Sequence, residues 1–395
     1  MPLATLTRPI EIPAIPEALG EQNLIGPKVT RKLFVKIPGQ GPKPTQLPGN
    51  IPNDISEPFE ETTKTKISDI PNKTIEELHS DSLIGSLHAL RILGFMAKFR
   101  QIYGDVLEDA NTEWIPASVS QYVANVIFQS WTYENLFKVT HFRDQITQKL
   151  SQERSRPYGM LALYDLGILG ADFERDNSTL IERFERIMNT ELNNDTHKIY
   201  KDGVYVASYP SPSTNTLAGP ISRLQEIKAK LDNTRALGAT MVDVVNGAYH
   251  SPHMRVLVKE MREFIASLGT QDPNRNIGKY HSLTTTEENI TSEQIDSDGA
   301  ELLHLPVFQL QLLNKRFQEL LVDPPEEIGV LEFGNSRDYK WGRQQGVQTT
   351  CFRDFYTSSN TFHGMNLPPY SAITLGLDSR DYTSDLMLNF AKKFF

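Results

Sequence analysis

A chain of 395 residues, 39% of them hydrophobic, carries ample apolar material for a core. It also exceeds the roughly 250–300 residues at which single cores tend to divide. A net charge of −9 with scattered basic residues argues against a nucleic-acid or membrane-surface binder, and the lone Cys351 excludes an intramolecular disulfide, which suits a reducing compartment.

Residues 1–32 are proline-rich and aperiodic, and are read as an extended arm lying on the surface through Ile10, Ile12, Ile15, Leu19 and Ile25. The opening Met-Pro-Leu-Ala-Thr has neither the basic head nor the apolar run of a secretory signal. No segment reaches the ~18 apolar residues of a membrane helix, so a cytoplasmic protein without a membrane partner is expected. Lys32 to Ile37 reads as a short apolar strand closed by Pro38-Gly39-Gln40-Gly41-Pro42. Residues 42–75 are polar and proline-rich, with a helix expected only after Lys73.

From 82 to 103, Leu83, Leu87, Leu90, Ile92, Leu93 and Met96 recur at helical spacing and Gly104 stops the run. A strand near Trp114-Ile115 leads into Pro116-Ala117-Ser118-Val119-Ser120, followed by helices over about 120–130 and 132–152. Residues 158–245 then read as strand 158–166, helix 177–189, strands 204–208 and 215–218, helix 221–231 and strand 240–245. That β-α-β-β-α-β order is the ferredoxin-like split arrangement, inserted in a larger α/β unit. A helix over 254–268, a polar loop to 300, a helix over 307–321 and a strand at Gly329 to Phe333 complete the reading; the last 55 residues resist assignment.

A serine hydroxyl needs a base within reach and donors for the oxyanion before it attacks a carbonyl. A strand–Ser–helix turn exposes the hydroxyl beside a helix N-terminus. Ser118 sits on such a turn, although a serine before a helix is more often only an N-cap. Asn246-Gly247-Ala248-Tyr249-His250-Ser251-Pro252-His253-Met254 also lies between a strand and a helix, where a lone histidine is usually structural.

That string resembles the Gly-Ala-Phe-His-Ser-Pro-Leu-Met motif of the malonyl-CoA:acyl-carrier-protein transacylase family, with Tyr249 for Phe and His253 for Leu as the only changes. The resemblance extends over roughly residues 33–340. Ile37 to Gly41 is similar to the family's Phe-Pro-Gly-Gln-Gly. Pro116 to Gln121 falls at Gly-His-Ser-Leu-Gly-Glu, Arg143 at the arginine of Leu-Arg-Gly, and Ser211-Pro212 with Leu217 to Gly219 at the Asn-Ser-Pro…Ile-Ser-Gly strands. Leu305-Pro306-Val307 and Leu331 to Gly334 resemble its later Ser-Pro-Val and Glu-Val-Gly-Pro segments.

The resemblance implies an α/β hydrolase-like large subdomain with a parallel sheet, residues 33–157 and 241–395, and a ferredoxin-like small subdomain, residues 158–240. It implies Ser118 as nucleophile, His250 as base oriented by a backbone carbonyl of Gly334-Asn335, and an oxyanion hole from the amides of Gln40 and Val119. Arg143 would hold a malonyl carboxylate in a pocket lined by Ala117 and Tyr249. No metal or bound cofactor is implied; malonyl-CoA or a related acyl-CoA is the donor and an acyl carrier protein the partner.

The chain departs from the family around the nucleophile. Pro116 and Ser120 replace the elbow glycines, Ala117 the histidine before the serine, Thr214 a strand glutamine, and Pro42-Lys43 the end of the Gly-Gln-Gly-Ser-Gln loop. Glycine suits a strained turn and proline fixes its own backbone, so the altered elbow predicts loose Ser–His geometry. Three readings stand at this point: a divergent acyltransferase, a thioester hydrolase of the same fold, and a non-catalytic relative that binds a carrier protein or assembly partner. Arg143 counts against the hydrolase and the lost glycines favour the non-catalytic relative.

Overall fold

Arg31–Ile37 (β1) buries five consecutive residues, Leu33 to Ile37, which a strand achieves when both faces of its sheet are covered. The computed structural model describes residues 31–37, 39, 45–109, 111–153, 157–165, 180–190, 198–200, 203–211, 214–234, 237–282, 284, 291–307, 312, 315, 316, 319, 325–333, 370–375 and 382–395. The N-terminal arm, Cys351 and most of the helix expected over 307–321 lie outside these residues.

β1 pairs in parallel with Thr112–Pro116 (β2) on one side and Glu327–Phe333 (β9) on the other. Tyr370–Leu375 (β10) and the two-residue Lys279–Tyr280 (β8) extend the sheet at its two edges, giving the order β10-β9-β1-β2-β8, all parallel. Ile84–Tyr103 (α3) is buried nearly all round and stops at Gly104 (φ 71°). Such a helix belongs inside a core. It packs with Ser120–Ile127 (α4) and Tyr133–Glu153 (α5). Among the described residues no helix is long and apolar enough to cross a membrane.

Tyr158–Asp165 (β3), Leu180–Met188 (α6), Val204–Ser211 (β5), Thr214–Pro220 (β6), Ile221–Thr234 (α7) and Leu237–Met241 (β7) follow in the expected β-α-β-β-α-β order. With the short Lys198–Tyr200 (β4) at its edge, the antiparallel sheet runs β4-β5-β6-β3-β7, the ferredoxin-like arrangement. It has its own apolar cluster, with Leu161, Leu163, Phe184, Leu217, Leu224 and Leu231 fully buried. His253 Nε2 meets the Gly203 carbonyl at 2.6 Å, and Val307 bridges β5 through Ser208, so the inserted unit is tied to the larger one beside the His250 turn.

Four local expectations change. The proline-rich stretch 42–75 contains a helix, Asn53–Thr63 (α1), and a 3-10 turn, Ile67–Asn72, ahead of the helix expected after Lys73, Ile75–Ser80 (α2). Ile55 and Phe59, one turn apart, are buried, and Phe59 meets Phe137 of α5 edge-on at 5.4 Å, so tertiary packing overrides Pro58. The strand expected at 240–245 lies earlier, at β7, and Val242 onward already turns toward the His250 segment. The helix at 254–268 divides into a 3-10 turn, Pro252–Leu257, and Val258–Ala266 (α8). The polar loop to 300 holds β8 and Ser292–Glu301 (α9), whose Thr291 and Gln294 form a reciprocal capping box. Asp385–Phe394 (α10) closes the described chain.

Below the sheet's core lies a buried ionic cluster. Glu113 of β2, fully inaccessible, meets Lys32 Nζ at 2.6 Å, Arg316 Nε at 2.7 Å and His281 Nε2 at 3.2 Å. Burial alone would raise its carboxyl, but His281, Arg316 and Lys32 outweigh it and hold the group well below the usual carboxylate range. Removing one member of a buried charge cluster leaves the others uncompensated. Glu113→Ala is therefore expected to destabilise the fold by about 3–5 kcal/mol in urea unfolding; a loss under about 1 kcal/mol would show that the cations find water or other partners.

Candidate active site

Ser118 occupies the turn where β2 gives way to α4, and its backbone is left-handed, φ 54°. A non-glycine residue there is uncommon and strained. The turn closes with the Ser120 amide on the Ala117 carbonyl at 3.1 Å and the Gln121 amide on the Ser118 carbonyl at 2.9 Å. This leaves the hydroxyl projecting at the C-terminal edge of the parallel sheet. Ser118 does not cap α4: the capping position is Val119, which makes no side-chain cap bond. Gly39, just after β1, abuts the turn; a Cβ there would sit 3.7 Å from Ala117 Cβ and 3.9 Å from Ser118 Cβ. Gln40 and Gly334-Asn335 lie outside the described residues.

His250 is also left-handed, φ 61°, on the turn that follows β7. Its amide donates to the Leu303 carbonyl at 2.8 Å, and Ser251 Oγ donates to the Ala248 carbonyl at 2.6 Å. These bonds aim the ring across the cleft. Nε2 lies 2.6 Å from Ser118 Oγ. The expected looseness is not found; the contact is tight despite Pro116 and Ser120. Pro116 ends β2 in register with Ile37, and the buried Ser120 hydroxyl lies 2.8 Å from Nε2 of His88 on α3. The elbow thus accommodates a side chain in place of glycine by giving its hydroxyl a polar neighbour.

The other ring nitrogen, Nδ1, faces the carbonyls of Leu302 and Leu305, without a bond of full geometry to either. Those acceptors favour a proton on Nδ1 and leave Nε2 free to accept one. Burial, then the charge of Arg143, push the imidazolium of His250 down to about 3, against the opposing pull of the two carbonyls. The ring is therefore neutral across the physiological range.

Arg143, on α5, is only 3% exposed. Its guanidinium stacks 4.0 Å over the Tyr249 ring, and Nη1 lies 3.9 Å from Asp144 Oδ1 with no hydrogen-bond partner among the described residues. Asp144 Oδ2 accepts from the Gly85 amide near the start of α3 at 2.6 Å. Nothing in the sequence pattern marks Asp144, His88 or the carbonyls of Leu302 and Leu305 as part of the site. A carboxylate adjoining the arginine was visible, but nothing in the pattern said that both neighbours of α5 would be buried.

No family model matches the chain, and no curated protein does. Solved structures do. A type II PKS malonyl-transacylase in complex with its acyl-carrier protein aligns over 91% of this chain and all of its own, with TM-score 0.62 at 12% identity. An acyl-carrier-protein S-malonyltransferase of Burkholderia pseudomallei 1710b covers 90% of this chain and 99% of its own, with TM-score 0.59 at 13% identity. The malonyl-CoA:acyl carrier protein transacylase of Helicobacter pylori covers 92% and 99%, with TM-score 0.57 at 13% identity. The chain has the fold of the malonyl-CoA:acyl-carrier-protein transacylases. At such identities the shared property is the fold, and the Ser118–His250 contact rests on this chain's own geometry.

A histidine whose folded pKa is lowered stays neutral where the unfolded residue would charge. His250 therefore contributes stability that is full above about 6.5, its ordinary value, and is lost as pH falls from there toward about 3. Side-chain NMR of His250 is expected to show no protonation between pH 8 and 5. A midpoint between 6 and 7 would mean that the ring is hydrated.

Proposed function

We propose that the protein is an acyltransferase that moves a malonyl or similar dicarboxylic acyl group from CoA to the phosphopantetheine thiol of an acyl carrier protein. One observation carries the reading: two strained, left-handed residues on separate turns meet with Ser118 Oγ and His250 Nε2 at 2.6 Å. Proteins retain such strain where surrounding structure enforces it, and it clusters at functional sites.

In the proposed mechanism Ser118 Oγ attacks the thioester carbonyl while Nε2 of His250 takes its proton. The oxyanion forms at the mouth of α4, toward the Val119 amide, with the Gln40 amide as the second proposed donor. Collapse breaks the C–S bond, and the CoA sulfur leaves with the proton from the imidazolium. The carrier thiol then gives its proton to Nε2 and attacks the serine ester, and Ser118 departs as the hydroxyl with the proton returned. Ala117 and Tyr249 border the acyl pocket, and Arg143 receives the free carboxylate. The holo acyl-carrier protein complexed with the transacylase of similar fold supports the choice of acceptor. A thioester hydrolase would share the first half of this sequence and hand the ester to water.

Intact-protein mass spectrometry after mixing with malonyl-CoA tests the reading. Wild type should carry one malonyl adduct, which holo acyl carrier protein discharges faster than buffer does. Ser118→Ala should carry none, and His250→Ala should acylate about 10²–10⁴-fold more slowly. No adduct on wild type, with carrier protein bound none the less, would leave the non-catalytic reading in its place. Discharge at equal rates with and without carrier protein would make it a hydrolase.

A further inference from the structure

The arginine proposed above to take the acyl carboxylate already has a carboxylate beside it. Arg143 and Asp144 are consecutive on α5, and both are buried, at 3% and 4% exposure, because α5 is enclosed by α1, α3, α4 and α8. Where the similar family carries glycine after its arginine, this chain carries Asp144. Oδ2 is fixed by the Gly85 amide at 2.6 Å, and Oδ1 stands 3.9 Å from Arg143 Nη1, an ion pair without a hydrogen bond. The guanidinium is also covered by the Tyr249 ring at 4.0 Å. A Cβ at position 85 would lie 3.1 Å from Asp144 Oδ1 and 3.3 Å from Nη1, so α3 closes the third side.

The buried pair is thus neutral as a unit while Nη1 keeps an unused donor. A second carboxylate arriving at Nη1 would give this desolvated site a net negative charge, and uncompensated buried charge is costly. We infer that Asp144 is the specificity-determining residue of the acyl site: ionised, it disfavours carboxylated acyl groups, and protonated or neutralised, it lets Arg143 accept them. The inference rests on the reading that Arg143 receives the acyl carboxylate.

The groups facing Asp144 set its titration. Burial raises its carboxyl to about 6, against the opposing effects of Arg143 on its own helix and the Gly85 amide of α3. Tyr122 of α4 and Tyr249 of the histidine turn complete the cluster, and burial raises both phenols, so they stay uncharged; His250 lies within reach of the Arg143 charge and is itself neutral. Of these groups only Asp144 changes charge between pH 5 and 8. A binding-competent fraction that grows from about one per cent to most of the population raises apparent affinity in proportion.

The test is the ratio of acyl-enzyme formation from malonyl-CoA to that from acetyl-CoA, measured by rapid-quench mass spectrometry from pH 8 to 5.5. The CoA moiety is common to both donors, so its titration cancels in the ratio, and His250, held down to about 3 without substrate, adds no titration of its own over this range. In wild type the ratio should rise about tenfold or more as pH falls through 6. Asp144→Asn, which keeps an acceptor for the Gly85 amide, should show at pH 8 the high ratio that wild type reaches only in acid, and should be flat with pH. A wild-type ratio that does not change with pH overturns the inference without any variant, as does an Asp144→Asn ratio equal to or below wild type at pH 8. Loss of all acylation from both donors in wild type would instead strike the reading beneath it and take this inference with it. Arg143→Ala separates the two further: malonyl and acetyl falling equally would mean that the arginine serves only the fold.

Discussion

Two non-glycine residues held in the left-handed region, Ser118 at φ 54° and His250 at φ 61°, are the constraint on which the site depends. Each costs roughly 1–2 kcal/mol relative to ordinary helical backbone, so neither would persist without enforcement. Ser118 is enforced from the sheet side. β1 and β2 run in parallel register as far as Ile37 and Pro116, and the chain must then reverse into α4 within three residues. His250 is enforced from the far side by its amide bond to Leu303 and by the Ser251 hydroxyl closing on Ala248. The two turns belong to segments 132 residues apart in sequence. Their meeting at hydrogen-bond distance is a property of the whole tertiary fold.

The same enclosure governs the electrostatics. Burial strips water from His250, Arg143 and Asp144 together, so each charge acts on its neighbours over short range in a medium that screens poorly. Among the described residues no carboxylate holds the histidine; backbone carbonyls of Leu302 and Leu305 face Nδ1 and set the tautomer instead. Dipoles of that kind orient the ring without adding charge. They leave Arg143 as the formal charge that depresses His250, with the carboxylate of Asp144 beside that charge.

The elements legible in the sequence were those whose burial follows a simple rule. α3 announced itself by apolar spacing and a glycine stop, and the inserted sheet by the order of its elements. α1 was hidden because Pro52 and Pro58 speak locally for a loop, and only contact with Phe137 makes Ile55 and Phe59 decisive. α9 hid in polar composition, although its Thr291–Gln294 capping box was in view. At the site, the chemistry-bearing residues Ser118 and His250 could be chosen from motif resemblance, whereas the consequence of Ser120 could not. In sequence its side chain reads as an obstruction; His88, thirty-two residues away, gives its hydroxyl a buried polar neighbour and the elbow stays tight.

A neutral histidine depressed this far is a reluctant proton acceptor, and that bears on how the proposed reaction would start. The depression has two sources, burial and the positive charge of Arg143. Substrate cannot relieve the first, since binding removes still more water. It can relieve the second: an acyl carboxylate on the guanidinium offsets the charge that opposes an imidazolium. A dicarboxylic substrate would then strengthen the base at the moment the nucleophile is in place, whereas a neutral acyl group would leave it weak. The interaction would favour the charged intermediate over the resting state, which is the condition for binding energy to accelerate a step and not merely to tighten binding. Asp144, when ionised, would supply part of that offset in the absence of substrate. On the proposed reading, one carboxylate inside the protein and one on the substrate would compete for a single cation, and the outcome of that competition would set both which acyl group is held and how readily His250 takes a proton.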